Sequence, residues 1–282
     1  MRPTRPRASS VVLMSGKPAQ SRGTEDAAAF PVDDRGVAAR LFAILDAFTA
    51  PPASSLTLTA IAQRTGIPLT TVHRLVGEWT SWGGLARQED GRYALGMRLW
   101  EVGVQTPTAR NLRTIALPYL EDLYESTHEH VHLAILDGND ALYLEKLSGH
   151  QAVRVISRVG GRLPLHATGV GLVLLAFAPN EVIQEYLAGP LPRFLPQTVT
   201  DPEELRRRLA GIRSQGIARM SEEMTAGSSS IAAPIRDRTG QVVAAVSIVT
   251  RTTPRPSPEQ EQAVRVAAHG VGRALGYRRA TG

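Results

Sequence analysis

Along residues 58–82 the apolar positions repeat with a helical period that is broken once, in the middle. Leu58, Ile61, Ala62 and Thr65 fall at i, i+3, i+4 and i+7, and Val72, Leu75, Val76 and Trp79 repeat that spacing. Each run predicts a helix with one buried face. Gly66 admits the positive φ that ends a helix, and Pro68 presets φ near the start of the next. Thr59 is the expected N-cap of the first helix. With the apolar stripe of the second helix turned inward, Leu69, Thr70, His73, Arg74 and Gly77 remain outside, near its N-terminal end. Pattern alone leaves two readings, a helix-turn-helix or an αα-hairpin of some helical core. The next segment favours the first. Residues 84–87 and 92–95 alternate around Glu89-Asp90-Gly91, and Asp-Gly is a strong hairpin signal. A helix-turn-helix followed by a two-stranded ribbon is a winged helix, whose second helix faces a major groove.

Upstream, Val37, Leu41, Ile44, Leu45 and Phe48 line one face of a further helix that Pro51-Pro52 stops. Downstream, residues 96–106 predict a short linker helix carrying Met97, Leu99, Trp100 and Val104, broken at Pro107. A longer helix over 109–126 has Leu112, Ile115, Ala116, Tyr119, Leu120 and Leu123 on one side. The period then changes to two, predicting strands at 130–136, 141–147 and 152–157. Helices are expected at 168–177 and 180–188, and another runs from the N-cap Asp201 to about residue 215. Strands return at 217–221, 229–236 and 241–250, and Ser257-Pro258-Glu259 opens a last helix reaching about residue 277. Strands bracketed by helices give an α+β domain. The expected boundaries are a basic arm at 1–34, a winged helix-turn-helix at 35–95, a linker helix at 96–108 and the α+β domain at 109–282.

Composition narrows the classes. A chain of 282 residues exceeds the usual single domain. It has no cysteine, which excludes disulfides and thiolate chemistry and fits a reducing cytoplasm. The longest apolar runs, 170–178 and 242–249, are far shorter than a membrane span, and 11–14 is too short for the apolar region of a signal peptide. A soluble cytoplasmic protein without membrane partners is therefore expected. The net charge of +6 is modest, so its placement matters more. Residues 1–22 hold five basic and no acidic residues, and the unperiodic Arg, Pro, Ser and Ala of 1–34 predict disorder. That arm reads equally as a phosphate-tracking segment or a solvated tail. Residues 35–98 hold seven basic against four acidic residues, a basic domain.

Two constellations invite a chemical reading. His128, His130 and His132 alternate, so His130 and His132 share a strand face at a spacing compatible with a metal pair. No third ligand is positioned, and no metal is expected. His166 with Ser221, Ser228, Ser229 and Ser230 suggests a hydrolase, but there is no Gly-x-Ser-x-Gly elbow and no placed acid. No catalytic residue and no cofactor is expected. Gly169 and Gly171 follow the loop 160–167 at a helix start. Their free N–H groups and the helix dipole suit a carboxylate, or the glycines serve close packing; both readings stand.

Four segments in one order resemble the IclR family of bacterial transcription regulators: TGIPLTTVHRLV, RYALG, GGRLPLHATGVG and SIAAPIRDRTGQVVAAVSIV. The resemblance runs from about residue 37 to the C-terminal end. It implies an N-terminal winged helix-turn-helix joined by a linker helix to an α+β, GAF-like effector-binding domain. It further implies a ligand-responsive repressor of double-stranded operator DNA, working as a homodimer or dimer of dimers, with the linker helix packed on the partner subunit. DNA contacts would come from Thr70, Thr71, His73 and Arg74, with Arg87 and Arg92 on the wing. Effector contacts would come from Leu165, Ala167, Gly169, Gly171, Met220, Ser230, Ser247 and Val249. Four positions depart from the common pattern: Met220 stands where an acidic residue is usual, Ser230 for a cysteine, Val249 for a hydroxyl and Leu172 for a lysine. A more apolar pocket follows, and with it a small acid bearing one carboxylate and an apolar or aromatic body, held by the backbone at Gly169 and Gly171 and by the hydroxyls of Ser230 and Ser247. A reading of another class is a sensor or interaction protein whose winged helix contacts protein instead of DNA.

Overall fold

The computed structural model describes residues 36–49, 54–148, 153, 155–253 and 257–278. The expected basic arm, the stop at Pro51-Pro52 and the start of the strand expected at 152 lie outside the described residues. Two compact units divide between Arg98 and Leu99.

The first unit runs α1 (Val37–Asp46), α2 (Leu58–Thr65), α3 (Leu69–Trp82), β1 (Leu85–Arg87) and β2 (Tyr93–Leu95). Leu56 exchanges two backbone hydrogen bonds with Tyr93, both 2.8 Å, which holds it extended and makes the helix begin directly afterwards. The N-cap is therefore Thr57, not Thr59: its Oγ1 accepts from the Ala60 N–H at 3.1 Å. Gly66 ends α2 at φ 69°. Ile61, Val72, Leu75 and Val76 meet Ile44, Phe48 and Leu85 in one core. Arg64 donates to the Ala47 carbonyl and the Trp79 indole to that of Leu41, fastening α2 and α3 to the α1 segment. Gly96 lies so close to the Gly83 carbonyl that a Cβ there would collide with it.

After α4 (Met97–Gly103), the second unit contains α5 (Pro107–Thr127), β3 (His130–Asp137), β4 (Asp140–Leu147), β5 (Arg162–Pro164), α6 (Gly169–Ala176), α7 (Asn180–Ala188), α8 (Pro202–Gln215), β6 (Ala218–Ser221), β7 (Ser228–Arg236), β8 (Val242–Arg251) and α9 (Pro258–Ala274). One antiparallel sheet has the order β5-β4-β3-β8-β7-β6. Strand alternation sends Val131, Leu133, Ile231, Val246 and Ile248 against α5 and α9, and sends Ala134, Ala232 and Ala245 to the face covered by α6, α7 and α8. All eight residues of α6 are buried, which is why its sequence is apolar on every side.

Three expectations change. The linker helix ends at Gly103, and the next helix starts at Pro107, two residues early, because proline is well suited to a first helical position. The strand expected at 152–157 is absent at 153 and 155–157; the edge strand is β5 instead. The alternation there is real, with Ser157 buried and Ile156 exposed, but this segment crosses the rim of the sheet without pairing. Leu172, expected beside the pocket, lies wholly in the core between α6 and its neighbours.

Candidate functional site

The exposed flank of α3 carries Thr70, His73 and Arg74, while Thr71 is half-buried beneath them. Thr70 and His73 line a shallow groove with Leu58, Thr59 and Leu69, so the start of α2 borders the same surface. Among the described residues Arg74 has no ion-pair partner, and Arg87 is likewise exposed on β1. Arg92 differs, because its Nε lies 3.5 Å from Asp90 and its charge is partly answered within the wing. An exposed surface with Arg74 on a helix and Arg87 on the adjoining wing suits a polyanion more than an apolar partner.

In the second unit, a cavity opens between the α6 face of the sheet and the segment 155–157, with about 450 Å3 of empty space including its mouth. Its floor is a row of side chains across the sheet. The register pairs Met220 with Ser230, Ser230 with Val249, Ala232 with Ser247 and Ser247 with His132, and Tyr143 packs edge-on against His132 at 5.2 Å. Among the described residues, no Asp, Glu, Lys or Arg lines it.

The N-terminus of α6 enters this cavity. Thr168 caps the helix, its Oγ1 accepting from the Gly171 N–H at 3.2 Å, and the Leu172 N–H goes to the Thr168 carbonyl. The N–H groups of Gly169 and Val170, both in the lining, have no partner among the described residues. Glycine at 169 has a steric cause as well, since a Cβ would strike the Ser230 hydroxyl, and one at 171 would strike Thr168 and the Leu165 backbone. The two readings of these glycines are thus divided: Gly171 serves packing and capping, and Gly169 serves close approach beside an available N–H.

Of the expected effector contacts, Ala167, Gly169, Met220, Ser230, Ser247 and Val249 line the cavity, whereas Leu165 and Gly171 stand behind it. The two serines are not equivalent. Ser230 Oγ donates to the Ile248 carbonyl at 3.1 Å, so its proton is committed. Ser247 is 1% exposed, yet its hydroxyl has no hydrogen-bond partner among the described residues.

Sequence reasoning missed the opposite end. His132 is buried; its Nε2 is 2.8 Å from Ser157 Oγ, and its ring stacks on His130 at 6.3 Å. Burial, with the positive charges of Lys146 and His130 behind it, drives its pKa down to about 3, so the imidazole is neutral. His130 Nε2 is 2.7 Å from the Val153 carbonyl. The two histidines therefore fasten the segment over the cavity, and among the described residues no three His, Asp or Glu converge on a metal position. The alternation of His130 and His132 was the available signal; Met224 and Thr225, also in the lining, sit in a loop without any pattern. His166 is structural: its ring nitrogens lie 2.8 Å from the Tyr186 hydroxyl and 3.0 Å from the Pro192 carbonyl, so both are taken by groups other than a serine.

Residues 37–89 match the IclR helix-turn-helix domain, and residues 104–275 match the C-terminal domain of bacterial transcriptional regulators of the IclR type. The chain belongs to the IclR family. It is 35% identical over 239 residues to the HTH-type transcriptional regulator KipR of Bacillus subtilis, covering 83% of this chain and 95% of that one. It is 34% identical to the transcriptional repressor IclR of Escherichia coli, over 69% of this chain and 72% of that one. Among solved structures, an IclR homolog from Microbacterium hydrocarbonoxydans complexed with 4-hydroxybenzoate is 41% identical, with a TM-score of 0.80 over 84% of this chain and 98% of that one. This IclR-family chain is a ligand-responsive, DNA-binding transcriptional regulator, and no helix among its described residues is long and apolar enough to cross a membrane.

Proposed function

We propose that this regulator is a cytoplasmic repressor whose winged helix at 35–95 reads operator DNA and whose domain at 109–282 binds a small monocarboxylic acid with an apolar or aromatic body. The observation that carries the effector reading is a cavity that has no ionised side chain among its described lining residues and that Gly169 and Val170, with N–H groups unpartnered among the described residues, line at a helix N-terminus. One carboxylate finds N–H donors and the positive end of the α6 dipole there. A second carboxylate or several hydroxyls would lose hydration without equivalent partners. Met220 and Val249 pack on the body of the acid, and Ser247, the one hydroxyl of the pair with its proton uncommitted among the described residues, lies beside that body. The 4-hydroxybenzoate carried by the Microbacterium homolog is an acid of this class. Binding acts by its differential affinity for DNA-competent and incompetent states. No catalytic step is involved.

A thermal-shift panel tests this. Benzoate, 4-hydroxybenzoate and branched aliphatic monocarboxylates should raise Tm by about 2–4 °C for each kcal/mol of ligand stabilisation, and Ser247→Ala should reduce the shift given by 4-hydroxybenzoate. Stabilisation by sugar acids or short dicarboxylates alone would overturn the reading.

Assembly follows from the size of a single recognition helix, which contacts too few base pairs for specificity in a genome. We assign dimerisation to α4, where Met97 is 67% and Trp100 62% exposed, while Leu99 is half-buried within the chain. Light scattering at micromolar concentration is expected to give at least a dimer, and Trp100→Glu should shift it toward monomer. A monomer with and without operator contradicts the assignment.

A further inference from the structure

We infer that the cavity has a second polar end, formed by His132 and Ser247, which recognises a hydroxyl group on the side of the effector remote from its carboxylate. This rests on the monocarboxylate reading above and adds to it the polar group at the other end of the ligand.

The two ends are separated by the sheet itself. Gly169 stands over Ser230 and Ala232 on β7, as the space a Cβ would need at Gly169 shows. His132 lies on β3, and β8 runs between the two, with Ser247 midway beside His132. Two strand spacings place His132 about 10 Å across the floor from the strand beneath the α6 N-terminus, the scale of a single aromatic ring with a hydrogen bond at each end.

The chemistry of the two ends differs in the way their partners must. At the α6 end the N–H groups of Gly169 and Val170 are donors at the positive end of a helix dipole, so an anion belongs there. At the far end, His132 uses Nε2 on Ser157 and has no partner for Nδ1 among the described residues. Ser247, its direct cross-strand partner, has an unmatched hydroxyl. A neutral imidazole beside a hydroxyl offers one donor and one acceptor, whichever tautomer holds. A ligand hydroxyl satisfies both at once, accepting from one and donating to the other. A carboxylate there would only accept, in a corner whose imidazole carries no charge. An apolar end would leave both groups unmatched and buried. The ring plane of His132 is fixed by stacking on His130 and by the edge of Tyr143, so the geometry is set before the ligand arrives. Ser157 belongs to the segment over the cavity, and Lys146 Nζ holds its carbonyl at 2.8 Å.

The test is calorimetric titration of the full-length protein with benzoate, 4-hydroxybenzoate and 2-hydroxybenzoate. The hydroxyl of the last adjoins the carboxylate and cannot reach His132. Wild type should bind 4-hydroxybenzoate about tenfold more tightly than benzoate, and 2-hydroxybenzoate no better than benzoate. In His132→Phe the tenfold preference should disappear while benzoate affinity stays within about threefold. The preference should not change between pH 6 and pH 8, because the imidazole remains neutral throughout. Equal binding of benzoate and 4-hydroxybenzoate by wild type overturns this inference while leaving the monocarboxylate reading intact, and so does a preference that survives in His132→Phe. Should the substituted protein fail to fold, the wild-type series decides alone. Failure of all three acids to bind where sugar acids or dicarboxylates do overturns the monocarboxylate reading and this inference together.

Discussion

Replacing Arg208 with alanine should lower stability by about 3 kcal/mol and remove most of the affinity for an effector. Arg208, on α8, holds Glu223 with two hydrogen bonds of 2.7 Å, Nη1 to Oε2 and Nη2 to Oε1, and Nη2 also donates to the Arg219 carbonyl. The Glu223 side chain is only 6% exposed, so losing its partner leaves a buried carboxylate unanswered. Arg208 is itself 20% exposed, which keeps the figure at the lower end of the range for such pairs. Glu223 immediately precedes Met224 and Thr225, which line the cavity. The same loop is tied at two further points: its Glu223 carbonyl accepts from Thr198 Oγ1 at 2.6 Å, and Glu222 accepts the Gly227 N–H at 2.8 Å while held at φ 53°. Releasing the clamp therefore loosens a wall of the cavity as well as destabilising the domain. Urea unfolding should show the loss in midpoint, and Arg208→Lys should be intermediate because an ammonium cannot form the paired contact. The double change Arg208→Met with Glu223→Leu should recover much of the stability, since it removes both charges, without recovering effector affinity. An unchanged urea midpoint in Arg208→Ala would refute the clamp.

Arg74→Ala should weaken operator binding by about 10- to 100-fold for each half-site, the cost of roughly 1–3 kcal/mol for a lost base contact. In a dimer the same loss occurs twice. Arg74 is exposed on the flank of α3 beside His73 and has no ion-pair partner among the described residues, so removing it frees no compensating charge. The salt dependence separates its role from that of the wing. Losing a base contact at Arg74 should relax the preference at one position of each half-site. Arg87→Ala should instead weaken all sequences alike and reduce the salt slope by about one for each protomer. Arg92→Ala should do less than Arg87→Ala, because Asp90 already answers part of its charge. Gel-shift titrations at several salt concentrations on the DNA flanking its own gene read all three, and an Arg74→Ala protein that binds like wild type throughout would show that the recognition helix is misassigned. A wild-type protein that retards no such DNA would favour the winged helix as a protein-binding module.

The local elements were legible because their causes are local. The i, i+3, i+4, i+7 repeats at Leu58 and Val72, Gly66 between them and the Asp-Gly of the wing each act over a few residues, and the helices, turn and ribbon stand where those signals place them. The same holds for Asp201 and Ser257, whose side chains cap α8 and α9. Where a distant residue takes part, the reading slipped. Thr59 lost the cap to Thr57 because Tyr93, more than thirty residues away, holds Leu56 extended. The residues at 153 and 155–157 did not become a strand, because a strand requires a partner edge, and β5 already pairs with β4.

The cavity shows the same division at the level of single atoms. Residue type alone determined that this chain can present hydroxyls, glycine N–H groups and imidazoles from strands and a helix start, and that no thiolate can take part. Which of them are available was decided only in three dimensions. Ser230 and Ser247 are indistinguishable as serines, yet the Ile248 carbonyl takes the proton of one and, among the described residues, nothing takes that of the other. Gly169 and Gly171 are two residues apart, yet Thr168 takes one N–H and leaves the other to the cavity. His132 reads from sequence as a titratable ligand and stands in the fold as a neutral hydrogen-bonding group, since burial beside Lys146 and His130 removes its charge. A hydrogen bond or a charge state depends on what lies within about 3 Å in space, and strand register and helix packing set that neighbourhood through residues far apart in the chain.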